Sequence, residues 1–430
     1  MRLLYNLIIH LYLVAIRVAA LFNDKAKKWL SGRKNIFEEL ERIINKNDSI
    51  IWFHVASLGE FEQGKPVLEG VKKAFPTHKI LLTFFSPSGY EVRKSYSGAD
   101  YIFYLPIDTK KNAKRFISIV NPKIAVFVKY EFWFNYINEL YKNKIPLLMV
   151  SVIFRPSQHF FKFWGRWFRK QLHKVTWFYI QDNESVALLA KIKVYHAEKS
   201  GDTRFDRVFD LAQEKQSLKQ IKQFKDDAFL VVAGSSWSLD EDILKHVLSQ
   251  SSHLFKLIIA PHVVSESHIK ELQQKFKRWS PVLFTDLNTS QKITSRILIL
   301  NTTGILSYVY RYADFSYIGG GFGAGIHNLL EPATYGQPVV FGPKYDKFRE
   351  ANELIKIGSG FPIKSKEDAL VIFRKLLSDK TLLKTSSITS KKYIESNTGA
   401  TQMVINKIKE YLIEPVGLSQ KFVKIKSRKK

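Results

Sequence analysis

From Ser49 onward the chain alternates short, almost wholly apolar runs with longer stretches whose apolar residues recur every three or four positions. Apolar runs without strict alternation fit strands buried on both faces, and the longer period fits helices that cover them. The first half reads as strands at IIWFHVA, KILLTFF, YIFYLP, IAVFVKY, PLLMVSVI and TWFYIQ, with helices such as PVLEGVKKAF and NAKRFISIV between them. The second half repeats the rhythm with AFLVVAGS, KLIIAPH, PVLFTD, RILILN, FSYIGG and PVVFGP. This predicts an α/β protein of two doubly wound, Rossmann-like domains facing a central cleft, with ligands at the carboxyl ends of the strands. The polar, charged stretch 213–227 reads as a linker. The expected division is then 1–33, an N-terminal membrane-associated helix; 34–212, the first domain; 213–227, the linker; 228–389, the second domain; and 390–430, a final helix and basic tail.

The run Leu3–Phe22 departs from that rhythm. It is long enough to cross a bilayer, for which about 20 apolar residues suffice. Asn6, His10 and Arg17 nevertheless share one helical face, and an arginine in hydrocarbon is costly. A helix lying in the membrane interface, or spanning with that face against protein, accommodates it; a buried helix of the first domain is the other reading. Lys25, Lys27, Lys28 and Arg33 follow, which puts the rest of the chain on the cytoplasmic side. Arg17 argues against a cleaved signal peptide.

The 430 residues carry a formal net charge of +28 and no cysteine. Disulfides and thiolate metal sites are excluded, and a reducing compartment fits. The positive excess selects for anionic partners: nucleic acid, anionic lipid or phosphorylated substrates. No helix-turn-helix, zinc-finger or RNA-binding aromatic pattern favours nucleic acid. The segment Phe160–Lys174 places Phe160, Trp164, Trp167 and Phe168 on one face and mostly basic residues on the other. It reads either as a basic amphipathic helix at a membrane surface or as an ordinary core-facing helix.

Candidate chemistry gathers at the predicted strand ends. Glu60 in HVASLGEFEQGKP emerges after the first strand, as a catalytic carboxylate would or as an acid complementing the next helix dipole. Glu131 in KYEFWFN follows the fourth strand, either as a second acid for general acid–base work or as a helix cap. Arg204 in GDTRFDRV could hold a phosphate or carboxylate, or pair with Asp202 or Asp206. In the second half APH, with Pro261 and His262, and NTTG end strands, and a lone histidine such as His262 is more often structural. The glycine-rich GGGFGAGIHNLLEP brings backbone close to a ligand or packs a tight turn. Asn328 and Glu331 have capping-box spacing, so a helix N-terminus should follow the glycines and suit an anion. Asp240–Asp242 superficially suggests a metal site, yet sits in a predicted first turn where acids favour the helix dipole.

Taken in order, ASLGE, SPSGYE, YEFWFN, GDTRFDRV and GIHNLLEPATYGQPVVFGP resemble the 3-deoxy-D-manno-octulosonic acid (Kdo) transferase family. These are inverting glycosyltransferases of the GT-B fold that act in lipid A and lipopolysaccharide assembly. The resemblance runs from the N-terminal helix to about Leu412. It implies transfer of Kdo from CMP-Kdo to a lipid A precursor at the cytoplasmic face of the inner membrane, without a metal or other cofactor. By similarity Glu60 is the general base, and Glu131 and Arg204 stabilise the transition state. Pro261, His262, Thr303, Gly304, Ile305, Asn328, Leu329, Leu330 and Glu331 match CMP-binding segments. The implied partners are CMP-Kdo, the lipid acceptor and an anionic membrane surface, with no nucleic acid and no obligate protein partner. Leu58, Phe134, Ile305 and Ile326 depart from the usual family residues. Two alternatives remain open: another GT-B nucleotide-sugar enzyme, such as a UDP-sugar transferase or epimerase, or a non-catalytic, basic, membrane-attached nucleotide-binding protein.

Overall fold

The structure is a computed structural model that describes residues 1–214, 216–287 and 293–413. The chain divides into two compact units, Met1–Asp206 with Thr398–Lys430, and Arg207–Asn397. Each is built on a seven-stranded, wholly parallel sheet.

In the first unit the strands are β1 (Ile50–Val55), β2 (Lys79–Phe84), β3 (Tyr101–Tyr104), β4 (Ile124–Val128), β5 (Leu147–Val152), β6 (Trp177–Ile180) and β7 (Ala197–Lys199). Their spatial order is β3-β2-β1-β4-β5-β6-β7. The order reverses between β1 and β4, which pair with Trp52 opposite Ala125 and His54 opposite Phe127. Such a switch point leaves a crevice at the carboxyl ends of the two strands. β1 and β4 are buried along their whole length, because helices cover both faces of the sheet. One face packs Trp52, Phe116, Phe127 and Tyr136; the other packs Phe53, Val67, Val126 and Ile405.

The second unit has β8 (Leu230–Ser236), β9 (Lys256–Pro261), β10 (Val282–Leu283), β11 (Ile297–Ile299), β12 (Phe315–Ile318), β13 (Val339–Phe341) and β14 (Gly360–Pro362), ordered β10-β11-β9-β8-β12-β13-β14. Its switch point lies between β8 and β12. The strands read from the sequence are present. The two missed ones, β7 and β14, are three-residue edge strands without an apolar run, and pairing alone defines them.

Seven helices concern the site: α1 (Arg2–Ala19), α2 (Leu58–Ala74), α3 (Phe134–Lys142), α4 (Thr203–Gln213), α5 (Ser238–Gln250), α6 (Leu330–Thr334) and α7 (Ala400–Ile413). The expected linker 213–227 is instead part of the second unit. Its helix Lys219–Lys225 buries Ile221 and Phe224, two apolar residues spaced to share one face in an otherwise polar stretch. The domain break lies earlier, at Asp206/Arg207, within α4. The chain then returns: α7 packs on α2 of the first unit, where a Cβ on Gly70 would lie 2.4 Å from Ile405. Asp206 caps α7, accepting from the backbone N–H of Gly399 at 2.5 Å and of Thr401 at 2.7 Å. The basic tail KFVKIKSRKK lies outside the described residues.

α1 lays one face on its own unit through Tyr5, Asn6, Ile9, Leu13 and Ile16. Asn6 accepts from the Asn135 amide at 2.9 Å, and the Tyr5 hydroxyl donates to the buried carboxylate of Asp108. The opposite face exposes Leu3, Leu4, Leu7, Ile8, Leu11, Val14 and Val18. Arg33 does not belong to the free basic cluster expected after this helix. Its guanidinium stacks 3.8 Å from the Trp29 ring and donates to the carbonyls of Trp29, Phe85 and Leu105. Burial pushes its pKa down to about 9. The expected helix over Phe160–Lys174 is broken into two single 3₁₀ turns and the helix Arg166–Leu172. Phe160 is buried, and Trp167 packs on Tyr5 and Phe134, so most of the predicted apolar face turns inward. Only Phe163 and Trp164 remain outside.

Candidate functional site

Glu60 stands in the first turn of α2, directly after β1, and is half-buried. Its two carboxylate oxygens are held differently. Oε2 accepts from the Ser57 hydroxyl, and Oε1 lies 3.7 Å from Nζ of Lys129. Lys129 follows β4 with φ of 61°, a left-handed conformation that turns the chain sharply at the strand end. An acid in a first helical turn is stabilised by the helix dipole. Glu60 therefore occupies the position expected of a dipole complement and that of an accessible base at once.

Glu131 is not a cap. α3 begins at Phe134 with Trp133 as its N-cap and no side-chain cap bond. The Glu131 carboxylate instead accepts from Nε1 of Trp133 at 2.6 Å and lies 3.2 Å from Nε2 of His54. The β1–β4 switch thus brings Glu60 and Glu131 to the ends of neighbouring strands, although 70 positions separate them in the chain. Arg204 donates from Nε to Asp202 at 2.9 Å and forms a second contact of 2.9 Å through Nη2, the pairing with Asp202 that the spacing allowed. Asp202 also accepts from Gln63 at 3.1 Å, one turn beyond Glu60 on α2. Asp206 is engaged elsewhere, as the cap of α7.

The second unit builds its strand ends from backbone and rings. β9 ends at Pro261, and the exposed His262 ring stacks on Trp237 (4.6 Å, 24°) and on His327 (4.4 Å, 23°). Trp237 donates from Nε1 to Nε2 of His327 at 3.1 Å, which leaves the His327 hydrogen on Nδ1. Burial pushes the His327 imidazole below its ordinary range; His262 adds to this and Asp240 opposes it. His262 is therefore one of three stacked rings and not a lone histidine. Trp237 and His327 carried no assignment from sequence. The available signal was the position of Trp237 immediately after the β8 run and of His327 between the glycines and the next helix.

The glycines divide by function. A Cβ on Gly319 would lie 2.3 Å from the Ser235 carbonyl, and one on Gly321 would lie 2.6 Å from Gly342. These two allow close loop packing. Gly320, at φ of 90°, faces both constraints: its backbone is left-handed, and a Cβ would lie 2.5 Å from the Gly325 carbonyl and 2.9 Å from the His327 ring. Its N–H donates to Asp240 at 2.9 Å. The fully buried Asp240 also accepts from the Trp237 N–H at 2.9 Å and the Tyr317 hydroxyl at 2.7 Å. Asp240 is structural, as a hub that fixes the ring stack and the glycine loop together.

α6 has five residues and starts at Leu330, after Leu329 as N-cap. The Asn328 side chain still accepts from the Leu330 N–H at 3.1 Å and donates to Glu331 at 3.1 Å, so the capping pair exists one position out of register. One turn carries little dipole, and the amides of Gly319, Gly320, Gly323, Gly325 and His327 already donate within the protein, which weakens the anion-binding argument made from the sequence. Leu329 and Leu330 are fully buried, and only their backbone could meet a nucleotide. Burial raises the Glu331 carboxyl, while Asn328 and the positive charge of Arg207 oppose that shift. Thr303 and Gly304 form an exposed turn beyond β11, with Gly304 at φ of 88° facing open space and Ile305 half-buried behind it. Among the described residues there is no cluster of three or more metal-ligating side chains.

Residues 32–207 match the family described as 3-deoxy-D-manno-octulosonic-acid transferase (kdotransferase). The chain is 28% identical over 359 residues to a 3-deoxy-D-manno-octulosonic acid transferase of Aquifex aeolicus, covering 81% of this chain and 93% of that one. It is 24% identical over 376 residues to the protein of that description from Haemophilus influenzae, covering 84% and 87%. Among solved structures, the UDP-GlcNAc 2-epimerase of Neisseria meningitidis bound to UDP-GlcNAc superposes with a TM-score of 0.59 at 14% identity, over 84% of this chain and 100% of that one. That likeness shows the fold alone, the GT-B plan of two Rossmann-like units in one chain.

Proposed function

We propose that this chain, as a member of the Kdo transferase family of glycosyltransferases that its likenesses indicate, transfers Kdo from CMP-Kdo to a lipid A precursor with Glu60 as general base. The observation that carries the reading is Glu60 itself, half-buried at the end of β1 with Lys129 beside it. In the proposed step the Glu60 carboxylate takes the proton of an acceptor sugar hydroxyl. That oxygen attacks the anomeric carbon of Kdo, the bond from carbon to the CMP phosphate oxygen breaks, and CMP leaves with the electron pair. Attack opposite the leaving group inverts the centre. Glu131, held by Trp133 and His54, offers negative charge to an oxocarbenium-like transition state. Arg204, oriented by Asp202, offers positive charge to the phosphate. A phosphate monoester is a good leaving group, so the step calls for no metal.

For the nucleotide we propose the second unit's strand ends: Pro261 and His262, the turn Thr303–Ile305, and the segment Asn328–Glu331, with Glu331 accepting ribose hydroxyls. Leu329 and Leu330 contribute through backbone alone.

For location we propose the cytoplasmic face of the inner membrane, with α1 lying in the interface. A helix with Tyr5, Asn6, Ile9, Leu13 and Ile16 against its own unit cannot be surrounded by lipid, whereas its outer surface exposes seven aliphatic residues beside the polar His10 and Arg17. Phe163 and Trp164 add exposed aromatic surface to the same unit. Replacing Leu7, Leu11 and Val14 with serine should lower flotation with anionic liposomes without lowering Tm.

Incubation of the full chain with CMP-Kdo, a tetraacylated lipid A precursor and a chelator tests the reading. Mass spectrometry should show the acceptor heavier by whole Kdo units, and Glu60→Gln should abolish most of that product. Thermal protection by UDP-sugars with none by CMP, and no lipid product, would favour another nucleotide-sugar enzyme.

A further inference from the structure

The first unit holds a buried histidine that the proposed step does not use. His54 is the penultimate residue of β1, its side chain is fully buried, and it lies against Phe127 of β4 at 5.2 Å between ring centres. Nδ1 lies 2.9 Å from the Thr83 hydroxyl oxygen and 3.1 Å from the Thr83 carbonyl. The Thr83 hydroxyl accepts from Nε1 of Trp52 at 2.8 Å and donates to the Phe53 carbonyl at 3.3 Å. Both Thr83 oxygens therefore face Nδ1 as acceptors, so Nδ1 carries a hydrogen.

Nε2 sits 3.2 Å from Oε2 of Glu131. Nε1 of Trp133 donates to that oxygen at 2.6 Å and approaches Nε2 at 3.0 Å. With its hydrogen on Nδ1 the ring offers Nε2 to this indole N–H, so imidazole, indole and carboxylate meet as one cluster around Oε2. Oε1 of Glu131 makes no hydrogen bond among the described residues, and the side chain keeps 11% of its surface exposed.

We propose that His54 is the positioning residue of Glu131: locked by Thr83, it fixes Oε2 together with the Trp133 indole and turns Oε1 toward the substrate. The inference rests on the proposed catalytic role of Glu131, and its test separates the two. His54→Gln keeps an amide near the Nε2 position, whereas His54→Asn reaches only the Nδ1 position and its Thr83 partner. In the CMP-Kdo assay His54→Asn should lower kcat by about tenfold or more with KM for the donor nearly unchanged, and His54→Gln should recover most of that loss. The double variant His54→Asn/Glu131→Gln should be no slower than Glu131→Gln alone, because removing Glu131 already removes what His54 positions. Losses that multiply, or His54→Asn turning over at the parent rate, would overturn the proposal.

If Glu131→Gln itself keeps full kcat, the catalytic reading of Glu131 has failed, and the positioning claim is read on the Trp133 indole. Its Nε1–H resonance should shift in His54→Asn and return toward the parent position in His54→Gln. A resonance that does not move overturns the claim. Should His54→Asn not fold, Thr83→Val, which removes the hydroxyl at Nδ1 and leaves only the carbonyl of residue 83 there, should give the same direction in kcat and in the indole signal, by a smaller amount.

Discussion

The two units share an all-parallel seven-stranded sheet and a central order reversal, yet they furnish their strand ends in opposite ways. The first unit places ionisable side chains there: Glu60 after β1, Lys129 and Glu131 after β4, and the buried His54 against Glu131. The second removes side chains at Gly319–Gly321, where loops pack closely, and adds a stack of Trp237, His262 and His327. Under the transferase reading this division is chemical. Proton transfer needs a carboxylate of defined orientation, while a nucleotide base suits flat rings. One fold supplies both because its elements fix only where strand ends lie, and loop residues decide what stands there.

The sharpest way to break the comparison is to remove the charge in one unit and ask whether the other still binds. Glu60→Gln should lower kcat by about 10² to 10⁴ while CMP binding, followed by calorimetry, stays at the parent value. Loss of CMP affinity in that variant would mean that the division of labour is wrong. Next in size is Gly320→Ala. Its Cβ would meet the Gly325 carbonyl and the His327 ring, so it should weaken CMP binding at least tenfold and lower Tm. Gly304→Ala, with a similar φ but open space around it, should cost only the left-handed strain, about 1–2 kcal/mol, in denaturant titration. Asp240→Asn should destabilise by about 1–3 kcal/mol, since an amide cannot accept from both N–H groups and the Tyr317 hydroxyl that the carboxylate satisfies.

A pH dependence concerns the first unit's hold on α1. Burial pushes the Asp108 carboxyl up to about 6 from 3.8, although Tyr5, Asn135 and Tyr136 donate to it. A raised folded value means that the folded state binds the extra proton. Its contribution is fully present below about pH 4 and is lost as pH rises through about 6. Denaturant midpoints should therefore decline from this source between those values, and Asp108→Asn should flatten that slope. An unchanged slope would remove Asp108 as its cause.

Much of this was legible in the chain. Uninterrupted apolar runs separated by helical periods required strands buried on both faces, and hence parallel sheets. Glu60, Glu131 and His262 stood just past the ends of those runs, and Glu331 stood beyond the glycine-rich segment. The linker reading failed at 213–227 because Ile221 and Phe224 supply a narrow buried stripe that composition averages away. The amphipathic reading of Phe160–Lys174 failed for a local reason as well. A Cβ on Gly165 would lie 2.0 Å from the His159 carbonyl, so the chain folds sharply back there and cannot continue as one helix.

The sequence by itself determined every described strand but the edge strands β7 and β14, most of the helices and the residues that follow the strands it showed, because burial and periodicity act over a few positions. Only the tertiary structure decided that β1 lies beside β4, that Asp202 and not Asp206 holds Arg204, and that His54 and Trp133 meet on one oxygen of Glu131. Those outcomes depend on strand order and on hydrogen-bond partners far apart in the chain, and neither leaves a local pattern to read.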